Sequence, residues 1–409
     1  MFHFFRRSAC AALALSLASL AAAPAAAQQA SGSYLAGRQA MIESDYSAAA
    51  EYFTRALMRD TANPALLENV VFAQLALGRL DRAVPVAQQI RSLGLSSQVG
   101  HLALAAGQAQ AGDYDALIAR DTEALAISPL VDGLLTGWAH MGAGSVSQAL
   151  AEFDALAEEK GLRGFALYHR ALALASVGDF EGAEEMFAAD GGQLAMVSRR
   201  AVIARTEVLS QLGRNGEALQ VLQAAFGGRS DPGLADLRAR LEAGSTLPFS
   251  IAPEVQDGFA EVFYSVGAAL SGEAADDYVL IYARLASALS ANHVDAVLLS
   301  AELLDQLGRY ELSVATYKQV PQGHPDYHAA ELGRAEALRR AAKPDAAIEV
   351  LEQLARDNPD LPGVHSALGD LLRQQEQYAA AAAAFDAALS ISATASAGCS
   401  TGLAVTRKR

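Results

Sequence analysis

Small and bulky apolar residues alternate with polar turns along this chain in a pattern that recurs. Each occurrence has a turn with glycine or a charged residue, an aromatic residue or leucine, a small residue three positions on, and a bulky apolar residue four beyond that. Examples are "DYSAAAEYFTRAL" (45–57), "GDFEGAEEMFA" (178–188) and "GRYELSVATYKQV" (308–320). Apolar residues three and four apart share one face of a helix, so the pattern predicts amphipathic helices.

The small residue of this pattern reveals a period of 34 residues. It occurs at Ala49, Ala83, Ala149, Ala183, Ala218, Ser313, Ala347 and Ala381, mostly 34 or 35 residues apart. The two wide gaps contain further units, with Leu117 and Val279 at the same position. An internal period of this length is typical of repeat proteins, which need no single central core.

A second small residue recurs twelve positions earlier, which predicts two helices in each unit. It occurs at Gly37, Gly137, Ala171, Gly267, Ala301, Ala335 and Gly369. Small residues that face each other let two helices cross closely. The bulky residue is expected to fill the space between neighbouring units, at Phe53, Phe153, Phe187, Tyr317, Leu351 and Phe385.

One interruption divides the repeats. It consists of a helix-like stretch, "DPGLADLRARLEAG" (231–244), and a segment with two prolines, "STLPFSIAP" (245–253). Such a break in pattern is the best domain boundary in the chain. The sequence therefore predicts an N-terminal array over 28–244, a linker over 245–253 and a C-terminal array over 254–389.

This organisation resembles the tetratricopeptide repeat family over about residues 30–389. The likeness consists of the 34-residue period, the paired small residues and the prolines between units at Pro64, Pro129 and Pro359. It also looks like a secreted group of such proteins in Gram-negative bacteria. The chain departs from the family pattern in its poor third unit, its interruption and its lack of most first-helix tryptophans. The resemblance implies an all-α, right-handed superhelical solenoid of about ten helical hairpins, interrupted once, that grips peptides or helices on its concave face.

The first helix of each unit lines the groove in this family, and the repeat register assigns residues to it. The resemblance places Phe72, Trp138, Phe165 and Tyr168 there in the first array, and Glu302, Asp305, Glu336, Arg339, Arg340, Asp370 and Arg373 in the second. Aromatic residues and arginines dominate binding energy where a partner buries them. The alternative is that the aromatic residues pack between helices and the charges are ordinary surface.

The first 27 residues read as a signal peptide. Arg6 and Arg7 precede an apolar stretch, and Ala25-Ala26-Ala27 forms a small-residue cleavage site. The apolar stretch is short for a bilayer span, which needs about 20 residues. We therefore expect export to the periplasm and cleavage before Gln28.

The pattern stops after Leu389. Residues 390–409 have no acidic residue and no helical periodicity, so they are expected to form an irregular tail. An array that ends this way exposes the apolar face of its last hairpin, whereas natural arrays cover it. We hypothesise that the repeats originally continued and that a truncation or frame change replaced the remainder.

Charge and candidate chemistry narrow the classes of function. The formal net charge of −15 disfavours a nucleic-acid partner. "GCSTG" around Ser400 lacks the strand and the histidine of a nucleophile elbow. "HPDYH" spaces His324 and His328 as in some zinc sites, but no third ligand is evident. No catalytic group, metal or cofactor is predicted.

These observations favour an exported, non-enzymatic scaffold that binds a protein or peptide in its inner groove. The alternative is an assembly subunit that docks on an envelope machine for polysaccharide or lipid synthesis or secretion, with peripheral association and direct glycan contact. Such a groove would show aromatic platforms beside carboxylates, and only the first array is rich in aromatic residues. An enzyme would require a constellation of reactive groups that the spacing does not supply.

Overall fold

The structure is a computed structural model that describes residues 32–189, 198–227 and 231–406, with side chains described as far as residue 393. Every regular element in these ranges is a helix, which confirms the predicted all-α fold. The chain forms two compact units, the first ending at Asp132 and the second beginning at Gly133. The predicted signal peptide, 1–27, lies outside the described residues.

The first unit is a run of short helices, and from the second to the sixth each helix packs against the next. They are α1 (32–42), α2 (Tyr46–Leu57), α3 (Pro64–Ala76), α4 (Leu80–Ser92), α5 (Gln98–Ala111), α6 (Tyr114–Ile118) and the beginning of α7 (Pro129–Gly142). The poor third unit of the sequence corresponds to α5 and the five-residue α6.

The second unit continues the same succession of paired helices. They are α8 (Val146–Ala157), α9 (Arg163–Ser176), α10 (Phe180–Ala188), α11 (Arg199–Gln211), α12 (Asn215–Phe226), α13 (Pro232–Glu242), α14 (Val255–Leu270), α15 (Asp276–Leu289), α16 (Val294–Gln306), α17 (Tyr310–Tyr317), α18 (Tyr327–Arg340), α19 (Pro344–Asp357), α20 (Pro362–Gln374) and α21 (Tyr378–Thr406). No described helix is both long enough and apolar enough to cross a membrane.

In nine of the described hairpins the turn has a left-handed residue five positions before the recurring small residue, whereas the α14–α15 hairpin has Gly272, seven positions before Val279. In the nine hairpins this residue is Ser44, Gly78, Gly112, Gly144, Gly178, Gly213, Gly308, Ala342 or Glu376. Glycine adopts positive φ without steric cost, which explains its frequency at this position. The other three residues adopt the same conformation, with φ of 56° at Ser44, 57° at Ala342 and 60° at Glu376.

The small residues receive bulky side chains, as the repeat pattern predicts, but the contact is often within one hairpin. A Cβ atom added to Gly137 would lie 2.4 Å from the Phe153 ring, and one added to Gly369 would lie 2.8 Å from Phe385. Tyr317 instead packs against Gly333 of the next hairpin. The bulky residue therefore fills its own hairpin in some units and the junction between units in others.

The interrupting segment is packed onto α11 and does not behave as a free linker. Leu247 and Ala252 are fully buried. Glu207 accepts hydrogen bonds from the backbone N–H of Ser250 at 2.8 Å and from its hydroxyl at 2.6 Å, and Arg200 donates to the carbonyl of Ile251 at 3.1 Å. Residues 245–253 thus lie inside the second compact unit and do not separate the two units.

The predicted irregular tail is helical as far as the structure describes it. Helix α21 begins at Tyr378 and continues to Thr406. Its residues after Leu389 are helical although they lack the repeat pattern. A helix that has already formed adds residues without a new nucleation cost, which lets a segment without amphipathic periodicity continue it.

Candidate functional site

Two of the four aromatic residues assigned to the groove are buried in the second unit. Trp138 is fully buried and Tyr168 is 7% exposed. The reason is α14, which packs on α9 and brings Gly258 against Trp138; a Cβ atom at Gly258 would lie 2.2 Å from the indole ring. The expectation that Trp138 and Tyr168 face a partner is therefore wrong for this structure. Phe72 and Phe165 are half-buried.

Beneath α14 lies a closed polar cluster centred on a carboxylate, which we call the buried hub. Glu261 accepts hydrogen bonds from the Tyr168 hydroxyl at 2.9 Å and from Nε of Arg200 at 2.7 Å, and its Oε2 lies 3.1 Å from Nε2 of His293. Nη1 of Arg200 also donates to Asp295 at 2.6 Å. These five side chains connect α9, α11, α14 and α16.

The charges of the buried hub compensate one another. Burial alone would raise the pKa of Glu261, but Arg200 and His293 outweigh it and lower that pKa to about 2. Burial also lowers the pKa of His169, which accepts a hydrogen bond from the Trp138 indole at 3.0 Å, to about 4. Because Glu261 is 1% exposed, this carboxylate holds helices together and is itself closed to a ligand.

An accessible concave surface lies further along the chain, between α18, α19 and α20. This C-terminal groove has a volume of about 450 Å³. Its floor is apolar and its rim is charged. The apolar residues of the floor are Leu332, Ala335, Leu351, Ala367 and Leu371. The polar and charged residues of the rim are Glu336, Arg339, Asp370, Arg373 and Gln374.

The rim repeats one ion pair in two successive hairpins. In α18, Arg339 donates to Glu336 at 2.6 Å, and 34 residues later, in α20, Arg373 donates to Asp370 at 3.2 Å. The side chains of Asp370 and Arg373 are more than half exposed. Hydrogen bonding from Arg339 lowers the pKa of Glu336, so this carboxylate is ionised at neutral pH. The structure thus brings together four of the predicted groove residues.

The three remaining charged residues of the prediction lie beside the groove. Arg340 donates to Glu336 at 2.9 Å and its Nη1 lies 2.8 Å from Asp305 of α16, which links two hairpins. Burial raises the pKa of Asp305, although Arg340 opposes this effect. Glu302 is exposed on α16.

A second concave region, which we call the interruption cavity, is not predicted by the sequence. It has a volume of about 570 Å³ and lies where residues 231–253 break the period. Its walls come from α11, α13, the segment 247–253, the first turns of α14 and α16, and the turns before α16 and α18. Only the break in the period signals it, because its charged residues are far apart in the sequence.

The two histidines of "HPDYH" make separate main-chain contacts. His324 precedes α18 and its Nδ1 accepts a hydrogen bond from the backbone N–H of Asp326 at 3.1 Å, whereas Nδ1 of His328 lies 2.9 Å from the carbonyl oxygen of Pro325. Within the residues that the structure describes, no group of three His, Cys, Asp or Glu side chains could hold a metal ion. Ser400 of "GCSTG" lies in α21, beyond the described side chains.

Comparison with solved structures gives similarities at low identity. MamA RS-1, as a double mutant, is 18% identical and has a TM-score of 0.30, with 48% of this chain and 97% of that chain covered. The Cut9-Hcn1 hetero-tetramer of the APC/C is 14% identical at TM-score 0.30, with 87% and 78% covered. Yeast Tom70 is 11% identical at TM-score 0.30, with 88% and 76% covered.

Comparison by sequence gives a narrower result. No curated protein matches the chain. The family model described as tetratricopeptide repeat matches residues 332–396, a range that contains most of α18, all of α19 and α20, and the start of α21. The family model thus supports tetratricopeptide repeats in the part of the chain that forms the C-terminal groove.

Proposed function

We propose that this protein is a non-enzymatic scaffold that binds a segment of another protein in the C-terminal groove. The observation that supports this is the repeated rim, in which an exposed carboxylate and an exposed guanidinium recur 34 residues apart above an apolar floor. The groove lies within the range that matches the tetratricopeptide repeat family, whose members bind polypeptides on their concave face.

The chemistry of the rim suits a polypeptide ligand. A guanidinium group donates several hydrogen bonds in a fixed geometry, and a carboxylate accepts them. A peptide backbone presents both carbonyl acceptors and N–H donors at regular intervals. The apolar floor, with Leu332 and Leu371, would bury one side chain of the partner while Arg339 and Arg373 hold its backbone or its acidic groups.

We further propose that the protein is exported and works in the periplasm, which rests on the signal-like residues 1–27. Direct contact with glycan, the alternative considered above, is less well supported by the geometry. Sugar platforms need exposed aromatic rings, and the burial of Trp138 and Tyr168 removes two of the four candidates.

The test is capture of partners from a periplasmic extract, followed by measurement with the purified partner. The double variant Arg339→Glu with Arg373→Glu reverses two rim charges, and we expect it to weaken binding by about tenfold or more, since hydrogen bonds to charged groups are lost and repulsion replaces them. Isothermal titration calorimetry with the identified partner segment would measure the change.

The matched control is Arg356→Glu, which reverses an exposed charge on α19 outside the groove lining. It should leave the affinity within about twofold of the unchanged protein, because an exposed charge outside an interface contributes little. If the double variant and the control bind the partner equally well, the groove is not the binding site.

A further inference from the structure

The interruption cavity is a site separate from the C-terminal groove, and its walls have an excess of carboxylates. Its guanidinium groups are Arg199, Arg200 and Arg240. The carboxylates that line it or pair with these groups are Glu207, Asp231, Asp236, Asp257, Glu261, Asp295 and Asp326. We propose that this cavity binds a positively charged side chain, an arginine or a lysine, of a partner polypeptide.

The cations already present in the cavity are engaged by other carboxylates. Arg199 pairs with Asp231 at 2.7 Å, and Arg200 with Glu261 at 2.7 Å. Arg240, the most exposed of the three, lies 3.6 Å from Asp236 within the same helix. None of them lies within ion-pair distance of Glu207 in the part of the chain that the structure describes.

Glu207 is the buried carboxylate whose negative charge a ligand cation would neutralise. Its side chain lines the cavity, the residue is 4% exposed, and, among the residues that the structure describes, only Ser250 donates hydrogen bonds to its two oxygens. A buried carboxylate without a directly paired cation is costly, and burial raises the pKa of Glu207 to about 7, although the hydrogen bonds from Ser250 and the more distant charges of Arg200 and Arg240 oppose this effect. A ligand cation beside it would offset this cost, because the attraction acts in a poorly hydrated place.

The other walls suit the long apolar stem of a basic side chain. Ile203, Leu237, Pro248 and Phe249 line the cavity beside the charged groups. Arginine and lysine bury their methylene groups along apolar surface, and a guanidinium group packs favourably on an aromatic ring such as that of Phe249. The volume of about 570 Å³ is ample for one such side chain and its neighbours.

The first experiment compares two blocked amino acids of nearly equal shape on the full chain. N-acetyl-arginine amide carries the positive charge, whereas N-acetyl-citrulline amide lacks it. Calorimetry at pH 8 and low salt should show saturable binding of the arginine compound and at least about tenfold weaker binding of the citrulline compound. Absence of saturable binding, or equal binding of both, would overturn the proposal.

The second experiment locates the binding. Glu207→Gln keeps the shape but removes the charge; its amide oxygen can still accept from the Ser250 backbone N–H while its NH2 group donates to the Ser250 hydroxyl. Affinity for the arginine compound should therefore fall by about fivefold or more. Glu349→Gln removes one charge from the exposed surface of α19 and should change nothing. Asp257→Asn provides a second variant of the cavity and should also weaken binding. Unchanged affinity in both cavity variants refutes the site.

The third experiment identifies the source of the cation and separates this site from the groove. A five-residue peptide, acetyl-Gly-Ser-Arg-Ser-Gly-amide, should bind about tenfold more tightly than the blocked amino acid, because the chain extends beyond one side chain. Equal affinity would mean that the cavity takes a free small cation and would overturn the polypeptide assignment. The groove variant Arg339→Glu should retain this binding, so failure of the proposed function would leave this result intact.

Discussion

At the scale of the residue, backbone conformation determines where glycine is favoured and where another residue is tolerated at an energetic cost. The recurring left-handed turn residue is glycine in most hairpins, but it is Ser44 in the first and Ala342 and Glu376 in the last two. For residues with a Cβ atom this conformation costs roughly 1 kcal/mol. Ala342 and Glu376 therefore each lower the stability of a hairpin in the range that matches the tetratricopeptide repeat model.

We expect Ala342→Gly and Glu376→Gly each to raise the free energy of unfolding by about 0.5–1 kcal/mol, because glycine removes the strain and its own entropic cost offsets only part of the gain. Urea denaturation would measure the change. Ala341→Gly is the control: Ala341 has φ of −74°, so glycine there should lower stability instead. If both turn variants are destabilised like the control, the turns are not strained.

Gly258 is a position where one added methyl group would destabilise the fold. Its missing Cβ makes room for the Trp138 ring, which is fully buried and cannot withdraw. We expect Gly258→Ala to destabilise the protein by about 3 kcal/mol, as overpacking of a rigid core does. Thermal unfolding would show a lower midpoint. Gly216→Ala, where no atom outside the backbone of α12 itself lies within 4 Å of the added Cβ, should leave the midpoint unchanged or slightly higher.

At the scale of the element, the interrupting segment is fixed by side chains of α11, and one of them titrates. Burial raises the pKa of Glu207 from 4.5 to about 7, so the folded state holds its proton more tightly than the unfolded state does. Stability from this group is therefore complete below about pH 4.5 and is lost as pH rises through about 7. The carboxylate that anchors Ser250 thus becomes unfavourable at high pH.

We expect Glu207→Gln to make the protein more stable than the unchanged chain at pH 8, by about 1–3 kcal/mol, with a smaller difference at pH 5. Urea denaturation at both pH values would test this. The control is Glu242→Gln, an exposed carboxylate at the end of α13, which should keep the pH dependence of the unchanged protein. Identical pH profiles for Glu207→Gln and the unchanged chain would contradict the assignment.

The contacts between helices show which parts of the fold can be predicted from the sequence. The spacing of small and bulky residues predicts the paired helices, because each helix needs only its neighbours. It does not predict that α14 covers Trp138, since that contact joins residues 120 positions apart that share no repeat position. The register together with the family resemblance assigns the charged residues over 336–373 to the groove, whereas it misses the interruption cavity, because that cavity forms where the register fails.

At the scale of the whole molecule, the proposal of export can be tested separately from binding. If residues 1–27 are a cleaved signal peptide, the protein purified from a Gram-negative periplasm should begin at Gln28. N-terminal sequencing and intact mass would show this. A matched variant with Arg6 and Arg7 replaced by glutamate should accumulate uncleaved, since the basic region is needed for targeting. An N-terminus at Met1 in exported protein would contradict the prediction.

The buried hub has a consequence for the way this chain can change over evolutionary time. Repeat arrays usually gain or lose units one at a time, because each unit touches only its neighbours. Here the Tyr168–Glu261 and Arg200–Asp295 hydrogen bonds join residues 93 and 95 positions apart. Deleting one unit between them would leave a charge without its counterion in the interior. Residues 138–295 should therefore be inherited as one block, while the hairpins that follow remain free to be duplicated or lost.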